Sequence, residues 1–172
     1  MGDSITASFD TQTLLPEFSI INKGLSGNNS THLLKRLHSD LLPSYPDIIL
    51  ILIGTNDIAA GFTDTEILFN INIILEITSE KLSKSKIFIT SILPTRNNEP
   101  RPNERIRGLN KKIQLKAKKM KVNYLDLYSI FVDDTGQLCK ELTNDGLHLN
   151  EKAYLKWADF LKNFLTDKLR QD

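Results

Sequence analysis

Asp47-Ile48-Ile49-Leu50-Ile51-Leu52-Ile53, running straight into Gly54-Thr55-Asn56-Asp57, decides the fold class of this chain. Six apolar residues in a row, every one isoleucine or leucine, cannot be a half-solvated strand. They read as a parallel strand covered on both faces. Three further strands are predicted around it, at 18–22, 86–92 and 122–126. Amphipathic helical patterns lie between and after them. The segment 31–42 places Leu33, Leu34, Leu37 and Leu41 on one face. The segment 63–82 does so with Ile67, Ile71, Ile74 and Leu75, and 104–120 with Ile106, Leu109, Ile113, Ala117 and Met120. The last, 150–169, carries Leu155, Ala158, Leu161, Leu165 and Leu169. Strands alternating with helices imply a parallel sheet flanked by helices. In such sheets ligands collect outside the carboxyl ends of the strands. The loops 22–30, 54–62, 93–103 and 127 onward are therefore the places to look for chemistry.

The chain of 172 residues fits one domain, taken as 1–172. Lys and Arg number 22 against 21 Asp and Glu, a balance that argues against a protein built to grip nucleic acid or an anionic membrane. The single cysteine, Cys139, can form no intramolecular disulfide and no Cys-rich zinc site. No metal and no cofactor are expected. No apolar run approaches the ~20 residues that span a bilayer. No signal peptide is visible at the start, and a cytoplasmic location is the expectation.

Three of the loops carry unusual residues. Asn22-Lys23-Gly24-Leu25-Ser26-Gly27-Asn28-Asn29-Ser30 offers two glycines ahead of a helix N-terminus, a place that suits a negative charge. It also reads as a plain glycine turn capping a helix. No Gly-Lys-Ser/Thr follows, so it is not a Walker loop. Gly54-Thr55-Asn56-Asp57 reads either as a strand terminator with a helix cap or as an amide donor, Asn56, aimed into the cleft. Asn144-Asp145-Gly146-Leu147-His148 precedes the last helix. Asp145 and His148, three apart around a glycine, can bring a carboxylate to an imidazole and turn its other nitrogen outward as a base. Helix capping with a surface histidine is the simpler alternative. His32 and His38 fall within the first long helical pattern and read as structural or solvated. A base needs a nucleophile. Ser26 stands in Gly24-Leu25-Ser26-Gly27, but Asn28 replaces the glycine that a nucleophile elbow needs. Ser4, in Gly2-Asp3-Ser4-Ile5-Thr6, is the stronger candidate when all the blocks are taken together.

Taken together, those blocks resemble the SGNH (GDSL-type) hydrolases, a family of esterases, lipases and related acyl hydrolases. Gly2-Asp3-Ser4-Ile5, the glycine block ending at Gly27, Gly54-Thr55-Asn56-Asp57 and Asp145-Gly146-Leu147-His148 occur in the family's order and span nearly the whole chain. The resemblance implies that Ser4 is the nucleophile, His148 its general base and acid, and Asp145 the group that orients His148. It implies an oxyanion hole built from the backbone N–H groups of Ser4 and Gly27 and the side-chain amide of Asn56. Asp3, Asn22 and Asp57 then read as supports of these loops. The implied fold is a flavodoxin-like three-layer α/β/α sandwich whose mostly parallel sheet has about five strands. The family has a hydrophobic strand just before the Gly-Asp-Ser block, and here only Met1 stands in that position. The first strand is therefore expected to be truncated: the rest belongs to a longer native chain, or is lost to a misplaced start, or the fold tolerates its loss. Without it, apolar surface should open beside Ile20 and Ile49, and Ser4 should be unseated.

The implied substrate is a small-molecule ester with a short acyl group, cleaved through an acyl-serine intermediate. Two other classes stay open: a non-catalytic ligand-binding module on the same scaffold, and a flavodoxin-like phosphate-binding protein using the Gly24–Gly27 loop. Neither nucleic acid nor integral membrane contact is expected, and the oligomeric state is open. Arg101, Arg105, Arg107, Lys111, Lys112, Lys116, Lys118, Lys119 and Lys121 read as the solvated face of the third long helix. Asp133-Asp134-Thr135-Gly136 reads as a tight turn. Arg96 reads either as part of an exposed loop or as a contact for a polar leaving group.

Overall fold

The structure, a computed structural model, describes residues 1–169. Two short helices come first, α1 (Ser4–Ala7) and α2 (Thr11–Leu14), followed by α3 (Ser30–Asp40) and strand β1 (Ile48–Ile51). Then follow α4 (Thr55–Ala59), α5 (Asp64–Lys81), β2 (Lys86–Thr90) and α6 (Asn103–Met120). The chain closes with β3 (Asn123–Leu125), α7 (Tyr128–Phe131) and α8 (Glu151–Leu169). The strands lie in the order β1-β2-β3, and both pairs are parallel. Ile51 stands opposite Ile89, and Thr90 opposite Leu125.

Two cores sandwich this sheet, which is the three-layer arrangement. On one face Ile49, Ile51, Ile87 and Ile89 pack with Leu33 and Leu37 of α3, Ile67 and Ile71 of α5, and Ile106 and Leu109 of α6. On the other face Leu52, Phe88 and Leu125 pack with Ile5, Phe9, Phe131 and α8. Strand periodicity sends alternate side chains to opposite faces. An unbroken apolar run is thus what a strand between two helical layers requires. The fold is the flavodoxin-like α/β class. Local signals set the helix starts. Thr63 accepts from the Glu66 backbone N–H while the Glu66 carboxylate accepts from Thr63 N, a reciprocal capping box.

Three expectations are corrected. The first is the strand count: the described residues form three strands rather than about five, and 18–22 is not one of them. A parallel strand needs a hydrogen-bonded neighbour. Beyond β1 the ladder reduces to single bridges, Gly2 with Leu52 and Gly2 with Gly24. Leu52 N donates to Met1 O (3.0 Å), and Leu25 N to Gly2 O (3.1 Å). Alongside 18–22 itself no such partner lies among the described residues. Ile21 is 62% exposed there, and Phe9, Ile20 and Ile21 line an open groove of about 420 Å³. The second concerns the apolar surface expected beside Ile49, which is instead buried under the helices. The third is the stripe of α8. Leu155 is 49% exposed, and Tyr154 and Trp157 take its place at i, i+3 spacing with Ala158, Leu161 and Leu165. The side chain of Leu169, expected on the same stripe, lies outside the described residues.

Ile51 has no exposed surface and sits where α3, α5 and the sheet meet. Ile51→Ala is expected to lower the unfolding free energy by about 2–5 kcal/mol. Ile21→Ala should change it by less than about 0.5 kcal/mol. Urea unfolding of the two variants checks this, and equal effects would contradict the placement of the core.

Candidate active site

The four motif blocks converge at the carboxyl end of the sheet. Asp3 caps α1, its Oδ1 accepting from Ile5 N at 2.9 Å. Ser4 is thereby fixed as the first residue of that helix, where its own N–H has no intrahelical acceptor. His148 lies just ahead of α8, in a segment closed by the Thr143–Leu149 bridge. Its Nε2 is 3.1 Å from Ser4 Oγ, and its Nδ1 is 2.7 Å from Asp145 Oδ2. An ionised carboxylate can only accept, so Nδ1 carries the proton and Nε2 faces Ser4 as an acceptor.

The turn that presents Asp145 and His148 is held from several directions. Asp145 Oδ1 accepts from Leu147 N (2.9 Å) and His148 N (2.8 Å). Thr143 Oγ1 accepts from Gly146 N and donates to His148 O. Gly146 has φ 80°, and a Cβ there would lie 2.1 Å from Arg96 O. Only glycine fits. Partial burial pushes the Asp145 pKa up, but the His148 ring and the two backbone N–H groups outweigh it and bring it down to about 2. Asp3 goes the other way. Burial raises it to about 6, against the opposing pull of the Ile5 and Thr6 N–H groups and of His148.

The remaining blocks meet around the loop 22–30. Asn22 Nδ2 donates to Thr6 O (2.7 Å) and Phe9 O (2.9 Å), while its Oδ1 accepts from Gly24 N. Asn56 Nδ2 donates to Asn28 O (3.0 Å). The backbone N–H groups of Ser4 and Gly27 have no acceptor among the described residues. Asp57 is fully buried and accepts from Ser30 N through both carboxylate oxygens, and from Ser30 Oγ. Burial raises its pKa, and the Ser30 bonds work against that rise. The N-terminus of α3 is therefore occupied: Asp57 takes Ser30 N, and Asn29 takes His32 N (2.9 Å). A carboxylate already stands where the phosphate-binding reading needs the ligand. Ser26 is exposed in the turn from Leu25 to Asn28, and no hydrogen bond among the described residues joins it to a histidine or carboxylate. His32 belongs to the α3 capping box and His38 is exposed.

Several residues were missed. Arg36 lies in a polar slot of the helical pattern at 31–42 that carries no local signal. Its guanidinium donates to Gly2 O (3.0 Å), Lys23 O (2.9 Å) and Asn28 Oδ1 (2.7 Å), and pairs with Asp40. Arg101 and Arg105 do not belong to a solvated face. Arg101 donates to Thr55 O and Asn56 Oδ1, and Arg105 to Asp64 and Phe62 O. Arg96 is tied to Asp133 and Leu138 O and does not stand free in an exposed loop. Asp133 forms the expected turn, its Oδ1 accepting from Thr135 N at 2.9 Å. No group of three or more His, Cys, Asp or Glu side chains among the described residues is placed to hold a metal ion. No helix among them is long and apolar enough to cross a membrane.

A family model described as the GDSL-like Lipase/Acylhydrolase family matches residues 1–156. The chain belongs to that family. Its similarity to solved GDSL-type structures covers nearly all of it. A Streptococcus pneumonia protein named for platelet activating factor is 34% identical, with a TM-score of 0.90 over 95% of this chain and 81% of that one. A GDSL-like lipase from Bacteroides thetaiotaomicron is 25% identical, with a TM-score of 0.86 over 98% of this chain and 86% of that one. The N-acylneuraminate cytidylyltransferase of Escherichia coli is 26% identical over 156 residues, which are 90% of this chain and 36% of that protein. The chain spans about a third of that relative's length. Membership of this family supports a hydrolase.

Asp3→Asn keeps an N-capping side chain and removes the charge. The folded pKa of Asp3 lies above its ordinary value, so ionisation costs stability in the folded state. That cost is absent below pH 3.8, grows up to about pH 6 and is constant above it. Asp3→Asn should therefore gain on the wild type as pH rises through this window, by about 3 kcal/mol at most. Urea unfolding at pH 4, 5, 6 and 7 measures the difference, and parallel curves would contradict it.

Proposed function

We propose that this protein is a serine-dependent ester hydrolase that acts on small-molecule esters of short acyl groups. The observation that carries the reading is the unbroken chain of hydrogen-bond distances from Asp145 through His148 to Ser4. Ser4 Oγ attacks the ester carbonyl carbon while His148 Nε2 takes its proton. The resulting imidazolium is stabilised by Asp145, whose low pKa keeps it ionised. His148 then passes the proton to the departing alkoxide, which leaves as the alcohol. Water attacks the acyl-serine by the same route in reverse and frees the acid. Negative charge appears on the carbonyl oxygen only in the tetrahedral states. The free N–H groups of Ser4 and Gly27 and the Asn56 amide are the donors assigned to it.

The short-acyl preference rests on the openness of the site. The side chains of His148 and Asp145 are 46% and 54% exposed, so the base sits at the surface and not at the end of a tunnel. A long acyl chain would gain little burial there.

A fluorophosphonate probe should label Ser4, and Ser4→Ala should abolish both labelling and hydrolysis. Labelling of Ser26 instead would overturn the nucleophile assignment. Asn56→Ala should lower kcat by roughly 10²–10³ with little change in KM. Turnover of p-nitrophenyl acetate should exceed that of long-chain p-nitrophenyl esters, and the reverse order would contradict the short-acyl assignment.

A further inference from the structure

Resting on that reading, we propose that Arg101 is a positioning residue of the oxyanion hole: its guanidinium locks the Asn56 side chain so that the amide N–H, and not the amide oxygen, faces the reacting carbonyl.

Arg101 approaches the Gly54-Thr55-Asn56-Asp57 block from the other side of the sequence, at the foot of α6. Its Nη2 donates to Asn56 Oδ1 at 3.1 Å, and its Nε donates to Thr55 O at 3.1 Å. The two bonds from one planar group fix both the backbone and the side chain of adjacent residues. On its opposite end the Asn56 amide donates from Nδ2 to Asn28 O at 3.0 Å. One amide thus lies between an obligate donor and an obligate acceptor. Rotating it by half a turn would set NH₂ against the guanidinium N–H groups and the amide oxygen against the Asn28 carbonyl. Both contacts would become repulsive at once, so only one orientation survives.

That orientation matters because an amide has a donor end and an acceptor end of nearly the same shape. An oxyanion hole needs the donor. Nδ2 carries two protons, and Asn28 O uses one of them. A cation bonded to the amide oxygen also polarises the amide and strengthens the remaining N–H as a donor. Arg101 is half-buried. Burial works against its charge, and the nearby Asp3 carboxylate works for it. None of the Arg101 contacts reaches Ser4 or His148, so its effect on turnover passes through Asn56.

The test is a double-mutant cycle with p-nitrophenyl acetate on the full chain. Arg101→Met should lower kcat by about 10- to 100-fold, below the loss expected for an absent oxyanion donor, with KM within about twofold. In an Asn56→Ala background the same substitution should cost less than about twofold, because its target has gone. Arg101→Lys keeps a cation but loses the paired geometry, and its kcat should fall between the two. If the Met variant fails to fold by circular dichroism, the Lys variant carries the cycle. A kcat within twofold of wild type in the folded variant overturns the proposal. So does an equal loss with and without Asn56, which would mean that Arg101 acts directly or only on the fold. Wild-type turnover that Ser4→Ala leaves intact overturns the assignment of Ser4 as nucleophile on which the proposal rests, and absence of wild-type turnover overturns the hydrolase reading, both results separate from these.

Discussion

The site hangs on one close approach, that of Gly2 to the end of β1. Gly2 bridges Leu52 on one side and Gly24 on the other. A Cβ at this position would lie 2.5 Å from the backbone oxygen of Leu52 and 2.1 Å from Thr6 Oγ1. A side chain would push the two segments apart, and the start of α1 would move with them. Because the approach is possible, Asp3 falls where it caps α1, and Ser4 follows at the helix start within reach of His148. Ser4 is thereby seated within reach of His148, contrary to the expectation that it would be unseated. The Gly2 carbonyl is held twice, by Leu25 N and by Arg36.

Arg36 and Asp57 extend that constraint to the rest of the cleft. Arg36 gathers Gly2, Lys23 and Asn28 onto α3. Asp57 fastens the first residue of α3 to the short helix α4 that follows β1. Both are ionisable groups placed among backbone partners, and each joins segments far apart in sequence. Loops cannot bury enough apolar surface to hold themselves rigid. Here charged side chains bonded to backbone supply the rigidity that packing cannot.

Legibility in the sequence followed the range of the interaction. The helices 31–42, 63–82 and 104–120 were readable because apolar spacing is local, and the strand 47–53 because its apolar run is unbroken. The segment 18–22 has the composition of a strand, yet strand formation depends on a partner that composition does not reveal. Leu155 was misassigned because a one-residue rotation about α8 is a small change in pattern and a large change in exposure. The Asp145–His148 pairing had a local cue, three residues around Gly146. Ser4 had none and was named through the order of the motif blocks. Arg36 and Arg101 had no cue at all. Their partners are mostly backbone carbonyls and amides more than ten residues away, and a basic residue in a polar slot looks the same whether it faces water or a distant loop.

Asp145 and Asp3 show how environment divides one functional group into two states. Asp145 is open to solvent and accepts from a ring nitrogen and two backbone N–H groups, so its pKa drops to about 2. Asp3 is 1% exposed, and burial raises its pKa to about 6. The proposed mechanism needs an ionised group beside His148, because the imidazole would hold a proton while Ser4 reacts. Beside the proposed oxyanion a second full negative charge would oppose the charge forming there. Burying Asp3 weakens its hold on that charge, and its carboxylate in turn favours the charged form of Arg101. The cation proposed to orient Asn56 thus feels the field of the carboxylate that caps α1. On the proposed reading, a single half-buried guanidinium stands between the cap that fixes Ser4 and the amide assigned to the substrate.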